Sequence, residues 1–253
     1  MYPAERQSAI VAAVHEHDGV LSVAALSSDL GVTTETIRRD LAVLERQGVI
    51  VRTHGGAKLA HGMPFELSLA KRQAEEADEK RRIALRAVEE LPRDGVVLLD
   101  SGSLALVTAS VFPDASVIVV TNNLPAIPVL RQRPNVSVMA LPGRVRTISQ
   151  GAVDEWTRQR LSTLNVDLVL LGSNGLTATA GVTTTVPDEA EVKRAMLLSA
   201  KRRVLTITAS KIGVTSFCHV ADLAELDMII TDSRIDRETA DALHTAGPEL
   251  VAV

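Results

Sequence analysis

The stretch Val32-Thr33-Thr34-Glu35-Thr36-Ile37-Arg38-Arg39-Asp40-Leu41, running on to Leu44, decides how the N-terminal part of this chain is read. Ile37, Leu41 and Leu44 recur at i, i+4 and i+7, which is one face of an α-helix. Thr33 stands where a helix N-cap belongs, and Glu35 falls in the positive first turn. Thr34, Glu35, Arg38, Arg39 and Gln47 are left on the outer face. Upstream, Ala9, Ile10, Ala13 and Val14 share a helical face, and Asp18-Gly19 ends that segment. Ser22 caps a second helix from Val23 to Leu30, and Gly31 supplies the turn before the third. Downstream, Gly48 stops the third helix, Val49-Ile50-Val51-Arg52 reads as a short strand, and His54-Gly55-Gly56 turns away from it. Helix, helix, glycine turn, helix and β-wing is the order of a winged helix-turn-helix, expected over residues 1–57.

The character then changes. Residues 58–80 read as a linker and coupling helix, with Gly62 and Pro64 as breakers and a charged helix starting at Phe65 or Leu67 and reaching Leu91. The charge run Lys71 to Arg82 reads as a solvated face. Over residues 81–253 the pattern is strand, loop, helix, repeated. The strands are Val96–Leu99, Val117–Val120, Val136–Met139, Leu168–Leu171, Val204–Ile207 and Met228–Ile230. Several are apolar at every position, as strands buried on both faces are, so the fold class is α/β with a mostly parallel sheet. Ligands of such sheets bind beyond the carboxyl ends of strands. The informative loops are therefore Asp100-Ser101-Gly102-Ser103, Thr121-Asn122-Asn123, Gly172-Ser173-Asn174-Gly175, Thr208-Ala209-Ser210-Lys211 and Thr231-Asp232. Amides at the helix start after Asp100, with serine hydroxyls beside them, suit a phosphate, and Lys193 or Lys211 can supply positive charge. Asp188, Glu189 and Glu191 open a helix, where they favour its dipole; the other reading is a general base or a hydrogen bond to a sugar hydroxyl.

Bulk properties bound the function. With 253 residues, 46% of them hydrophobic, the chain has room for one large core or two smaller ones. No apolar stretch approaches the ~20 residues that span a bilayer, and the N-terminus lacks the pattern of a secretory signal, so a cytoplasmic protein is expected. The single cysteine, Cys218, makes no internal disulfide, and the six histidines show no metal-ligand spacing. Dinucleotide and P-loop fingerprints are absent. No metal, cofactor or catalytic residue is expected. The net charge of −4 does not advertise a nucleic-acid binder, but phosphate binding depends on local charge. Only five aromatic residues occur, which argues against a stacking platform for single strands.

The run Thr33 to Leu44, followed by Gly48-Val49-Ile50-Val51-Arg52-Thr53-His54-Gly55-Gly56-Ala57, resembles the signature of the DeoR-type transcription regulators. So do Leu99-Asp100-Ser101-Gly102-Ser103, Val120-Thr121-Asn122-Asn123, Leu141-Pro142-Gly143, Gly172-Ser173-Asn174-Gly175-Leu176, Asp188 to Met196 and Ser210-Lys211-Ile212-Gly213. The resemblance implies a sensor domain with a fold similar to sugar-phosphate isomerases and CoA transferases. It implies repression of a sugar-catabolism or sugar-uptake operon, released by a phosphorylated sugar or related metabolite. Carried over by position, the effector residues are Asp100, Ser101, Gly102, Ser103, Asn122, Asn123, Gly172, Gly175, Glu189, Lys193 and Lys211. The chain departs from the family where Leu104 replaces a second Thr, where Thr208 replaces Asp and where Pro142 replaces Gly; Arg144 and Arg146 are candidate anion ligands in compensation.

The third helix is expected in the major groove of double-stranded operator DNA, with Thr34, Thr36 and Arg38 toward base edges and Thr33, Arg39, Arg52 and His54 toward phosphates. Arg39 has the alternative of pairing with Asp40 or Glu35 within the fold. One winged domain buries little DNA surface, so a homo-oligomer, dimer or tetramer, is expected. The competing class is an isomerase-like enzyme carrying an added DNA-binding domain, with Asp100, Asp188 or Glu189 moving the proton.

Overall fold

The computed structural model describes residues 3–16, 21–46, 50–53, 56–59 and 68–253. By chain contacts it divides into two compact units, Met1–Ser68 and Leu69–Val253.

The first unit holds α1 (Pro3–Glu16), β1 (Leu21–Ser22), α2 (Val23–Leu30), α3 (Thr34–Arg46), β2 (Ile50–Thr53) and β3 (Gly56–Leu59). Ser22 caps α2 by accepting from the Ala25 amide at 3.1 Å, and Gly31 ends it with a left-handed φ of 61°. Thr33 caps α3 in the same way, accepting from the Thr36 amide at 3.2 Å. Ile10, Val14, Leu26, Ile37, Leu41, Leu44 and Ile50 are buried together as the core of this unit. Burying each such side chain contributes about 1.5–3 kcal/mol. The expected wing is present but larger than its reading. Gly56–Leu59 returns as an antiparallel partner of β2 and of β1, into the stretch read as linker. His54, Gln47, Gly48, Gly62 and Pro64 lie outside the described residues.

The second unit opens with two helices, α4 (Leu69–Ala74) and α5 (Ala77–Val88), where one continuous helix was expected. The break is Glu76, whose φ of 50° and ψ of 41° are left-handed. A non-glycine residue holds that conformation at a cost of about 1–3 kcal/mol. There follow β4 (Gly95–Leu99), α6 (Ser103–Val111), β5 (Val117–Thr121), α7 (Ala126–Leu130), β6 (Ser137–Ala140), and the short hairpin β7 (Arg144–Val145) with β8 (Ala152–Val153). Next come α8 (Glu155–Leu161), β9 (Val166–Gly172), β10 (Gly175–Thr177), β11 (Gly181–Thr184), α9 (Pro187–Ser199) and β12 (Ala200–Thr206). The chain closes with β13 (Cys218–Ala221), β14 (Met228–Thr231), α10 (Arg237–Thr245) and β15 (Glu249–Ala252).

Seven of these strands form one sheet in the order β15-β14-β12-β9-β4-β5-β6, with every pairing parallel. Both faces are covered, as the continuous apolar runs require. Leu98, Val169, Leu171 and Leu205 pack on one side with Leu161, Val192, Met196 and Leu243 from α8, α9 and α10. Val97, Leu99, Leu168, Leu170 and Val204 pack on the other with Ile83, Ala87, Leu106 and Leu130 from α5, α6 and α7. The chain leaves β4 toward β5 and β6, then returns to lay β9 on the opposite side of β4. That reversal puts a topological switch point between the carboxyl ends of β4 and β9. A smaller antiparallel sheet, β10-β11-β13, was not expected, nor was the edge strand β15. Trp156, the only tryptophan, stands 70% exposed in the first turn of α8. No helix among the described residues is long and apolar enough to cross a membrane.

Candidate functional site

In the first unit, burial of Ile37, Leu41 and Leu44 turns Thr34, Glu35, Arg38 and Arg39 outward together. Arg38 and Arg39 are 57% and 80% exposed at the side chain, and both lean on Glu35, at 3.9 Å and 3.4 Å. Exposed pairs of this kind contribute at most about 1 kcal/mol, so a phosphate can displace Glu35 readily. Asp40 is not their partner. It is buried, and its carboxylate takes Arg6 Nε at 2.5 Å and Gln7 Nε2 at 3.1 Å, tying α3 to α1. Thr33 and Thr36 share a hydroxyl contact of 2.9 Å within the cap. Arg52 is exposed on β2.

In the second unit, the ends of β5, β4, β9, β12 and β14 bring the polar loops side by side. Asp100 stands at the switch point, 1% exposed. One carboxylate oxygen accepts from the Ser101 amide at 2.7 Å; the other accepts from the Gly172 amide at 2.9 Å and from the Lys193 ammonium. Lys193 also donates to the Gly172 carbonyl at 2.9 Å, so it bridges β4 and β9. Gly102 precedes α6 with a φ of 114°, no side chain caps that helix, and the space where a Cβ would stand is open. The first amides of α6 have no partner within the helix, and a helix start of this kind favours negative charge. The side chain of Leu104, which stands where the family has a second hydroxyl, is buried in the core.

Asn123 Nδ2 donates to the carbonyls of Asp100 and Gly102 at 3.4 and 3.3 Å, and Asn122 Nδ2 to that of Ala152 at 3.0 Å. Their Oδ1 atoms, with Ser173 Oγ and Thr185 Oγ1, are buried and accept no hydrogen bond. Buried acceptors left unmatched cost about 1–3 kcal/mol each, which hydroxyl donors on a ligand would recover. Gly172 lies against Asp100. Gly175 starts β10, where a Cβ would come within 2.3 Å of the Val214 carbonyl, so its smallness has a packing reason. Ser103 is buried at the start of α6.

Glu189 does more than favour a dipole. It is buried, ion-paired with Arg146, and within 3.4 Å of the Thr184 hydroxyl. Burial alone would raise its carboxyl, but Lys193 and Arg146 hold it below the ordinary carboxylate value. Asp188 takes Arg144 at 2.5 Å, and exposed Glu191 takes Arg158 at 3.2 Å. Arg144 and Arg146, candidates for anion binding, therefore each hold a carboxylate of the chain. Lys211 donates to the Ser173 carbonyl at 3.3 Å. Burial first, then repulsion from Arg72, Lys80 and Lys193 against attraction by Glu76, brings its ammonium down to about 8.

Several contributors escaped the reading of the sequence. Lys80 is buried, and its ammonium caps the Arg72 and Glu75 carbonyls at the α4–α5 corner. Its spacing to Ile83, Ala84 and Ala87 places it on the apolar stripe of α5, a signal that the surrounding charge run hid. Glu76, Asp232 and Arg234 form a further cluster. Among the described residues no group of acidic, histidine or cysteine side chains could hold a metal.

The sequence falls in described families at both ends. Residues 6–62 match the DeoR-like helix-turn-helix domain and residues 75–233 the DeoR C terminal sensor domain. The chain is 36% identical over 251 residues to the HTH-type transcriptional regulator GlpR of Haloferax volcanii, covering 99% of this chain and 98% of that protein. It is 32% identical over 252 residues to a putative aga operon transcriptional repressor of Escherichia coli O157:H7, covering 98% and 93%. A ribose 5-phosphate isomerase of Methanocaldococcus jannaschii superposes on 55% of each chain at 15% identity and a TM-score of 0.40.

Proposed function

The chain belongs to the DeoR family of DNA-binding transcription regulators, and on that premise we propose that it represses a sugar-catabolism or sugar-uptake operon and releases it when a phosphorylated sugar or related metabolite binds the second unit. It acts in the cytoplasm as a homo-oligomer, dimer or tetramer, on repeated operator half-sites. Thr34, Thr36 and Arg38 read base edges; Thr33, Arg39, Arg52 and His54 contact phosphates. The relative of Escherichia coli named for repression of the aga operon supports the direction.

One observation carries the ligand reading. At the switch point, the uncapped start of α6 and the ammonium of Lys211 offer positive charge, while Asn122 Oδ1, Asn123 Oδ1 and Ser173 Oγ offer unmatched acceptors. An anion at one end of a molecule bearing hydroxyl groups satisfies both. Ser101, Gly102 and Ser103 receive the phosphate; Asn122, Asn123 and Glu189 take hydroxyls; Gly172 and Gly175 keep the backbone close; Asp100 and Lys193 fix β4 against β9. The acidic groups support binding over proton transfer. Asp100 is engaged by an ammonium and two amides, and Glu189 by a guanidinium, so neither is a free base.

The test is a thermal-shift screen of the full chain with phosphorylated sugars and their unphosphorylated parents, followed by gel shift on DNA from upstream of its own gene. Stabilisation by one phosphorylated sugar, about 2.7 kcal/mol at a hundred times its Kd, together with loss of the DNA shift, is expected. Turnover of the sugar, or stabilisation by the unphosphorylated parent alone, would sink the reading.

A further inference from the structure

Ser210 and Lys211 are neighbours on one short turn, Ala209–Lys211, yet they serve different partners. Lys211 reaches the Ser173 carbonyl in the ligand site. The Ser210 hydroxyl donates to Glu76 Oε2 at 3.0 Å. The Ala209 amide donates to Asp232 Oδ2 at 2.8 Å. Asp232, 0% exposed, holds Arg234 Nε at 2.6 Å, and Arg234 reaches back to pair with Glu76. The contacts close a ring from Glu76 through Ser210, Ala209, Asp232 and Arg234 to Glu76 again.

Glu76 is also the corner between α4 and α5, in a left-handed conformation that a non-glycine residue keeps only where its surroundings impose it. Lys80 clamps the same corner from within α5. α4 begins at Leu69, the residue after the last of the DNA-binding unit.

We propose that this ring is a clasp that passes occupancy of the ligand site to the α4–α5 corner, with Glu76 as the positioning residue. The inference rests on reading the site as a receptor for a phosphorylated metabolite. An anion beside Lys211 draws the Ala209–Lys211 turn from one side, while the Glu76 carboxylate holds it from the other. The anion and the Glu76 carboxylate are like charges on either side of this turn, and they repel each other. Occupancy therefore loosens Glu76, and the corner gives up its imposed conformation. The segment that moves is the one joined by chain to the DNA-binding unit. A spatial ring becomes coupling only if both ends respond together, which is measurable.

The experiment is hydrogen exchange of the full chain with and without saturating inorganic phosphate, following residues 207–213 and 69–88. In the native chain phosphate slows exchange at 207–213 and alters it at 69–88. In Glu76→Gln the first response remains and the second is lost. Ser210→Ala removes one hydroxyl of the ring, gives the same uncoupling to a smaller degree, and serves if Glu76→Gln does not fold. Removing the carboxylate that repels the anion also tightens phosphate binding in Glu76→Gln. An unchanged response of 69–88 in both variants, or no response there in the native chain while 207–213 is protected, overturns the clasp and leaves the receptor reading intact. If phosphate and phosphorylated sugars alike leave 207–213 unaltered, both readings fall.

Discussion

The two units each present a surface suited to anions, and they are built in opposite ways. On α3 the cations stand in water: Arg38 and Arg39 share one exposed carboxylate, and the helix is fixed by a core beneath them. At the switch point the buried carboxylates are each matched to a cation: Asp100 to Lys193, and Glu189 to Arg146. The first arrangement suits a long, uniform polyanion, because mobile side chains adjust to it and little desolvation is involved. The second suits one small molecule, because buried groups cannot rearrange and each unmatched atom is costly. Recognition in the first is therefore separable from folding; in the second the two are entangled.

That contrast breaks or holds at Lys193. Replacing it by Met leaves the Asp100 carboxylate buried without its cation, and is expected to cost the second unit about 3–5 kcal/mol in urea denaturation. A loss below about 1 kcal/mol would mean the pair is not the structural tie described. Arg38→Ala probes the other side. It is expected to cost about 1–3 kcal/mol of operator affinity and to relax selectivity at one base position, with folding stability unaltered. Unchanged affinity and selectivity would remove Arg38 from base readout.

A pH series sharpens the difference. Lys211 is charged below about 8 and neutral above. A bound anion favours the charged form, so affinity is complete below that value and falls about tenfold per pH unit above it. Phosphate monoesters are already dianionic there, so the ligand does not confound the slope. Calorimetry showing flat affinity to about pH 10 would take Lys211 out of anion contact. Folding stability runs the other way: the depressed Lys211 value means the unfolded chain holds the proton longer, so stability rises between about 8 and 10.5. The smallest effect is expected at Arg39. Arg39→Ala changes folding by less than about 0.5 kcal/mol while lowering the salt slope of DNA binding by about 1. A larger folding loss would show that Arg39 has a structural duty.

Local chemistry was legible and distant pairing was not. Ser22 and Thr33 announce their caps, and Ile37, Leu41 and Leu44 announce the face of α3, because each depends on residues within one or two turns. The apolar runs announce six parallel strands for the same reason. β3 was missed because Gly56-Ala57-Lys58-Leu59 carries no strand pattern, and pairs only because β2 turns back on it. The corner at Glu76 was missed because glycine, not glutamate, marks left-handed backbone in sequence. At the site, the loops were identifiable from their place after strands. The bond between Lys193 and Asp100 was not, since it joins residues 93 positions apart. The family resemblance pointed to both residues but said nothing of their contact.

Trp156 lends the molecule a spectroscopic asymmetry. The sole indole sits in the second unit, solvent-facing, at the head of α8, and Asp154, which accepts its amide at 2.8 Å, also receives the amide of Arg144 on β7. Emission excited in the indole band comes from this unit alone, with no tryptophan in the first to dilute it. A titration followed by that light reports on the second unit alone, whatever the state of the first.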